Sequence, residues 1–220
     1  ITEGMYAFTE KPNIIDKSRA WPHPENIKLL IDLLPYKPKF IATVRDLPSI
    51  LASFITLLEA HPERVSFIDK ELKKMGRACT NENRCVWLFT PGGTIYESWY
   101  SLRMAFDAGF SDLFHIVEYD DLVVRPKETL EKIYDFLELQ DFEHDLSHII
   151  NTTHDATTVS PVPGMHAVRS EIAKTSPDPI SILGEELVRK YANVEHFWRR
   201  PDTAIQHIEK TKTTNPFFIT

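Results

Sequence analysis

Apolar residues come in two kinds of run along the chain, and the two kinds alternate. Short, nearly continuous runs read as buried strands, and stretches with a 3.6-residue period read as amphipathic helices. The best strand is Lys39–Arg45 (Lys-Phe-Ile-Ala-Thr-Val-Arg), apolar enough for a central parallel strand buried on both faces. Leu113–Tyr119 is a second good strand, and Asn13–Asp16 a shorter one behind Pro12 that opens into the polar Lys17-Ser18-Arg19. Helical periodicity joins Ile27, Leu30, Ile31 and Leu34 and stops at Pro35. It resumes behind Pro48 to about Ala60, from about Ile95 to Ala108 with Gly109 as the stop, behind Pro126 through Leu130, Ile133, Tyr134 and Leu137, and from about Ile180 to Trp198. Residues 61–91 read as mixed helix and irregular chain, and residues 151–179, dominated by proline, serine and threonine, as a long loop that suits a lid. This alternation predicts one α/β domain over residues 1–220, with helices layered on a parallel sheet and a tail at 200–220.

Composition narrows the classes of function. With 42% hydrophobic and 26% charged residues and no apolar run near 18 residues, the chain reads as globular and not as a membrane protein. Its 25 basic and 32 acidic residues give a net charge of -7, which disfavours a nucleic acid partner but leaves room for a local basic pocket. Cys79 and Cys85, with five residues between them, fit neither a C-x-x-C redox pair nor a four-ligand zinc site; they read as reduced thiols of a cytoplasmic protein, with one local disulfide as the alternative. His144 and His148 are spaced to share a helix face, but no third ligand is in register, so no metal is expected.

The segment Arg45-Asp46-Leu47-Pro48-Ser49-Ile50-Leu51-Ala52-Ser53 carries the most chemistry. Arg45 ends a strand where open parallel sheets bind ligands, and the helix that follows points its positive end to the same place. Ser53, tilted back toward the helix start, is placed to share an anion with Arg45. The plainer alternative is that Arg45 pairs with Asp46 and Ser53 bonds back within its helix.

Arg45, Pro48 and Ser53 resemble the 3′-phosphate motif of sulfotransferases that use 3′-phosphoadenosine 5′-phosphosulfate, with Asp46 and Leu47 departing from the usual R-N-P. Tyr119-Asp120-Asp121-Leu122, then Arg125-Pro126 and a helix ending in Phe136-Leu137, resembles that family's Y-E-D-L block, to which no chemistry is assigned here. The resemblance spans about residues 12–140. It implies an α/β three-layer sandwich of the P-loop nucleotide hydrolase-like type, the nucleotide as sulfonate donor, no metal, a small-molecule or glycan acceptor, and leaves a homodimer open.

By the same resemblance Arg45 and Ser53 hold the 3′-phosphate, Lys17 lies beside the transferred sulfonate, and Tyr96 and Tyr100, near Ser98-Trp99, lie near the adenine. Arg169, in His166-Ala167-Val168-Arg169-Ser170, closes over the 3′-phosphate. The histidine that cytosolic relatives carry two residues after the lysine is Arg19 here, so a glutamate upstream, Glu3 or Glu10, is the candidate base, with His23 weaker. The family's P-R-S-G-T-T phosphate loop has no counterpart among the seven glycines, which implies a chain short of its N-terminal strand and inactive alone. A non-catalytic nucleotide-binding or assembly protein of the same fold is the alternative. A P-loop kinase relative is disfavoured for want of a Lys-Ser/Thr loop.

Overall fold

A computed structural model describes residues 13–60, 66–150, 168–174 and 176–199. Two parallel strands, β1 (Phe40–Val44) and β2 (Phe114–Glu118), pair in register from Phe40 opposite Phe114 to Val44 opposite Glu118. Around them run α1 (Pro24–Leu33), α2 (Leu47–Glu59), α3 (Phe67–Lys74), α4 (Asn81–Leu88), α5 (Thr94–Asp107), α6 (Tyr119–Val124), α7 (Pro126–Leu137) and α8 (Pro179–Ala192). The alternation of strands and helices is therefore α/β with a parallel sheet, as the periodicities predict.

Local chemistry sets the helix ends. Asp46 caps α2 by accepting the Ser49 N–H at 2.9 Å, Ser66 caps α3 through the Asp69 N–H at 3.0 Å, and Asp178 caps α8 through the Ser181 N–H at 2.9 Å. Pro24, Pro48, Pro126 and Pro179 occupy first-turn positions, where the missing N–H costs nothing. Helix α5 ends at Gly109, whose φ of 83° lets its own N–H reach Phe106 O and the Phe110 N–H reach Ala105 O.

Two apolar clusters hold these elements. Leu51, Ile55, Ile68, Leu72 and Leu88 fill one between α2, α3 and α4, and α8 closes it with Leu183 and Tyr191. The second sits where α1 and α5 meet the sheet, through Ile27, Val44, Leu102, Ala105, Phe114 and Phe197.

Four expectations need correction. Asn13–Asp16 is irregular chain with both isoleucines exposed, Ile15 at 82%, since no described strand lies beside it to pair its backbone. β1 is not buried on both faces: Ala42 and Val44 turn inward, whereas Ile41 and Thr43 are exposed. Tyr119–Val124, read as a strand end and turn, is a short helix. The last helix stops at Ala192, is interrupted at Gly184 (φ 77°, ψ 161°), and is followed by a separate 3-10 turn, Phe197–Arg199. Most of the proposed lid, 151–167, and the tail 200–220 lie outside the described residues. No helix among the described residues is long and apolar enough to cross a membrane.

Candidate functional site

Both strands end at one edge, and the residues just past those ends make the site. Val44 pairs with Glu118, so the next residues, Arg45 and Tyr119, lie side by side. The Arg45 guanidinium carbon rests 4.3 Å from the centroid of the Tyr119 ring, a cation–π contact that orients the cation without neutralising it. No carboxylate pairs with Arg45 among the described residues; the Asp46 carboxylate instead caps α2. Arg45 Nε is buried and has no hydrogen-bond partner there.

A cavity of about 280 Å³ opens on this edge. β1 and its end supply Thr43, Val44 and Arg45, α2 supplies Leu47, Ile50 and Phe54, and α5 supplies Thr94, Ile95, Ser98 and Trp99. Val194, His196 and Trp198 close it from the C-terminal side, and Arg19 lies on its wall. The lining is apolar with two arginines and a few hydroxyls, which suits a ligand carrying a flat or apolar body and an anionic group.

The α2 N-terminus contributes less than its position suggests. Pro48 has no N–H, the Ser49 N–H is taken by Asp46 Oδ1, and the Ile50 N–H by Asp46 O at 3.2 Å. The capping carboxylate also offsets the positive end of the helix dipole that an anion would otherwise meet. The expected set of free N–H groups at this end is thus largely consumed, and recognition of an anion falls to guanidinium groups.

A second set of contacts pins the C-terminal wall. Arg199 forms a two-pronged ion pair with Glu118, its Nε 2.6 Å from Oε1 and its Nη2 against Oε2, tying the last turn to the end of β2. This pairing raises the Arg199 pKa further. Phe197, 1% exposed, plugs the second apolar cluster, and between these anchors Trp198 is stacked on His196 at 5.0 Å. Arg199 Nη1 lies 3.1 Å from His196 Nδ1; a guanidinium only donates, so Nδ1 accepts and the proton of a neutral ring sits on Nε2.

Beside Tyr119, the chain returning from residue 176 bonds to the same ring: Ser176 Oγ donates to the Tyr119 hydroxyl at 3.2 Å, and Lys174 lies 3.4 Å from Asp120.

The other candidate residues scatter. Lys17 is exposed, two residues before Arg19 on the cavity wall. Ser53 is exposed on α2 and is not on the cavity lining, which that helix forms with residues 47, 50 and 54. Tyr96 and Tyr100 stack on each other at 5.5 Å, Tyr96 also meeting Phe89 and Trp99, in an aromatic cluster beside the lining. Arg169 is exposed next to Ser170, whose carbonyl accepts the Ile149 N–H at 2.8 Å. Glu3, Glu10 and His166 lie outside the described residues, and His23 is the residue before α1. His144 and His148 do not share a helix; His144 Nε2 lies 2.9 Å from the Tyr134 hydroxyl, and His148 contacts Asp145 and Ser147.

Sequence reasoning missed Tyr119 and Trp198 as parts of the site. Tyr119 stands one residue beyond β2 as Arg45 stands one beyond β1, a signal legible only once the two strands are known to be neighbours. For Trp198 the chain carries no local signal, since its placement depends on Glu118, 80 residues upstream.

A model of the sulfotransferase family matches residues 6–144, more than half of the chain. No curated protein matches it. Among solved structures, a sulfotransferase domain from the curacin biosynthetic pathway aligns over 97% of this chain and 68% of that one, at 18% identity and a TM-score of 0.46.

Proposed function

The chain belongs to the sulfotransferase family, and from that premise we propose that it binds 3′-phosphoadenosine 5′-phosphosulfate as donor and serves transfer of its sulfonate to a hydroxyl or amine of a small-molecule or glycan acceptor. The observation that carries this reading is Arg45: a guanidinium at the strand ends, held over the Tyr119 ring, with a buried Nε that lacks an acceptor among the described residues. A buried donor left unsatisfied is costly, and a phosphate oxygen relieves the cost while adding a charge-assisted contact.

In the transfer, the bond from sulfur to the bridging phosphate oxygen breaks as a bond from sulfur to the acceptor oxygen or nitrogen forms, and the acceptor proton leaves to a base. Negative charge gathers on the departing phosphate oxygen. Lys17 is assigned to that oxygen, because a positioned ammonium stabilises charge that grows in the transition state. Arg45 is assigned to the 3′-phosphate, whose charge stays constant; Ser53, exposed and off the cavity lining, joins it on family resemblance alone. Arg19, on the cavity wall, supplies a second cation to the bound nucleotide. The base is assigned to Glu3, and Tyr96, Tyr100 and Arg169 to the nucleotide, on family resemblance alone.

Calorimetric titration with adenosine 3′,5′-bisphosphate and with AMP tests the reading. The bisphosphate is expected to bind about 10- to 150-fold more tightly, the range of one charge-assisted contact, and Arg45→Ala to remove the difference. Equal affinities for the two nucleotides in the unsubstituted protein overturn the assignment.

A further inference from the structure

Two side-chain donors among the described residues are buried without a hydrogen-bond partner, Arg45 Nε and Trp198 Nε1. Both residues line the same 280 Å³ cavity, although they stand 153 positions apart in sequence and arrive on unrelated elements. Buried donors are nearly always satisfied, so two orphans on residues that line one cavity point to an acceptor that belongs beside it. An indole N–H only donates, so the missing partner is an acceptor atom, and the guanidinium on the wall of the same cavity favours one that carries negative charge.

The other indole on the wall sharpens the contrast. Trp99 Nε1 is already occupied, donating to Glu195 O at 3.4 Å. Trp198 is held as firmly as a ligand donor requires: Phe197 is buried before it, Arg199 is paired to Glu118 after it, and His196 stacks on its face. Three anchors fix the ring, and its N–H alone is left unused.

We infer that Trp198 Nε1–H is a second donor to the anion held by Arg45, which makes the turn Phe197–Arg199 part of the oxoanion site. This rests on the reading of Arg45 given above and adds a residue that the family motifs do not contain. Its ligand is an oxoanion, a phosphate of the nucleotide rather than a free sulfate or phosphate ion.

The test titrates the full chain, ¹⁵N-labelled, with adenosine 3′,5′-bisphosphate and separately with inorganic sulfate, following the indole resonances; Trp198→Phe assigns its signal. The Trp198 indole proton is expected to move downfield on adding the bisphosphate while the Trp99 signal moves little, and Trp198→Phe, which keeps a ring and removes the donor, to weaken that ligand about 10-fold. If the bisphosphate binds and Arg45→Ala weakens it, but the Trp198 signal stays still and Trp198→Phe binds normally, this inference falls and the Arg45 reading stands. If sulfate moves the Trp198 signal as readily as the bisphosphate does, the donor pair stands and the nucleotide reading falls. Absence of any binding or shift overturns both.

Discussion

The Arg45 guanidinium carbon sits over Tyr119, 4.3 Å from the ring centroid, because the residues before them, Val44 and Glu118, are paired in a parallel register. Two sequence blocks that look independent, one read as binding and one as architecture, are thus a single device: the second block aims the cation of the first. An arginine on a free strand end would lose rotamer freedom on binding an anion, and the ring restrains it beforehand.

Replacing Tyr119 therefore acts on binding through Arg45. Tyr119→Phe keeps the ring and is expected to stay within about threefold of the unsubstituted affinity for adenosine 3′,5′-bisphosphate, whereas Tyr119→Ala is expected to lose about 3- to 30-fold, the range of a cation–π contact. Calorimetry on both variants checks this; an alanine variant that binds normally removes Tyr119 from the site.

Under the proposed roles, Lys17 and Arg45 are expected to separate kinetically. Lys17→Ala should lower kcat about 100-fold, as loss of one preorganised donor to developing charge does, while Arg45→Ala should chiefly raise KM for the donor nucleotide. A radiolabelled sulfonate-transfer assay with a competent acceptor reads both. An unchanged kcat for Lys17→Ala returns it to an ordinary surface lysine.

Asp69 and Arg84 join α3 to α4 by two parallel hydrogen bonds of 2.8 and 2.9 Å, each side chain only 14% exposed. The Arg84 guanidinium holds the Asp69 carboxyl below its ordinary value of 3.8. Because the folded pKa is the lower one, the pair's contribution is complete above the unfolded value and disappears as pH falls through the folded one. Asp69→Asn should cost about 1–3 kcal/mol at pH 7 and progressively less below about pH 4. Urea unfolding midpoints at pH 7 and pH 3 measure the gap; a gap of the same size at both is the contrary result.

Gly93, the residue before α5, has no room for a side chain. A Cβ there would stand 2.6 Å from Leu88 O and closer still to Trp87 O, both backbone atoms that cannot swing aside. Gly93→Ala should cost about 1–3 kcal/mol as overpacking does, visible as a lowered Tm. It should also weaken nucleotide binding, because α5 carries Thr94, Ser98 and Trp99 to the cavity.

The two thiols are free and unlike each other. Burial pushes the Cys85 pKa up to about 11, whereas Cys79 is only half-buried, with its sulfur 3.7 Å from Asp69 O. Iodoacetamide at pH 8 should modify one thiol of the native protein, Cys79, and both in denaturant. Mass spectrometry of the alkylated peptides decides; rapid modification of native Cys85 contradicts its burial.

Much of the element content is legible in the chain itself, because it depends on local rules. The Asp46, Ser66 and Asp178 caps, the four first-turn prolines and the stop at Gly109 each act within a few residues of themselves. The placement of Arg45 at a strand end is equally local, one residue past a β-branched apolar run. What neighbours what is a different matter. That Phe40–Val44 pairs with Phe114–Glu118, and that Glu118 draws Arg199 in and so holds Trp198 on the cavity that Arg45 also lines, depend on contacts across 74 and 81 positions. Pairing of that kind is decided by which buried faces and charges find partners when the whole chain closes, so motif spacing announced the cation of this site and only the tertiary structure supplied the ring that aims it and the indole that shares its cavity.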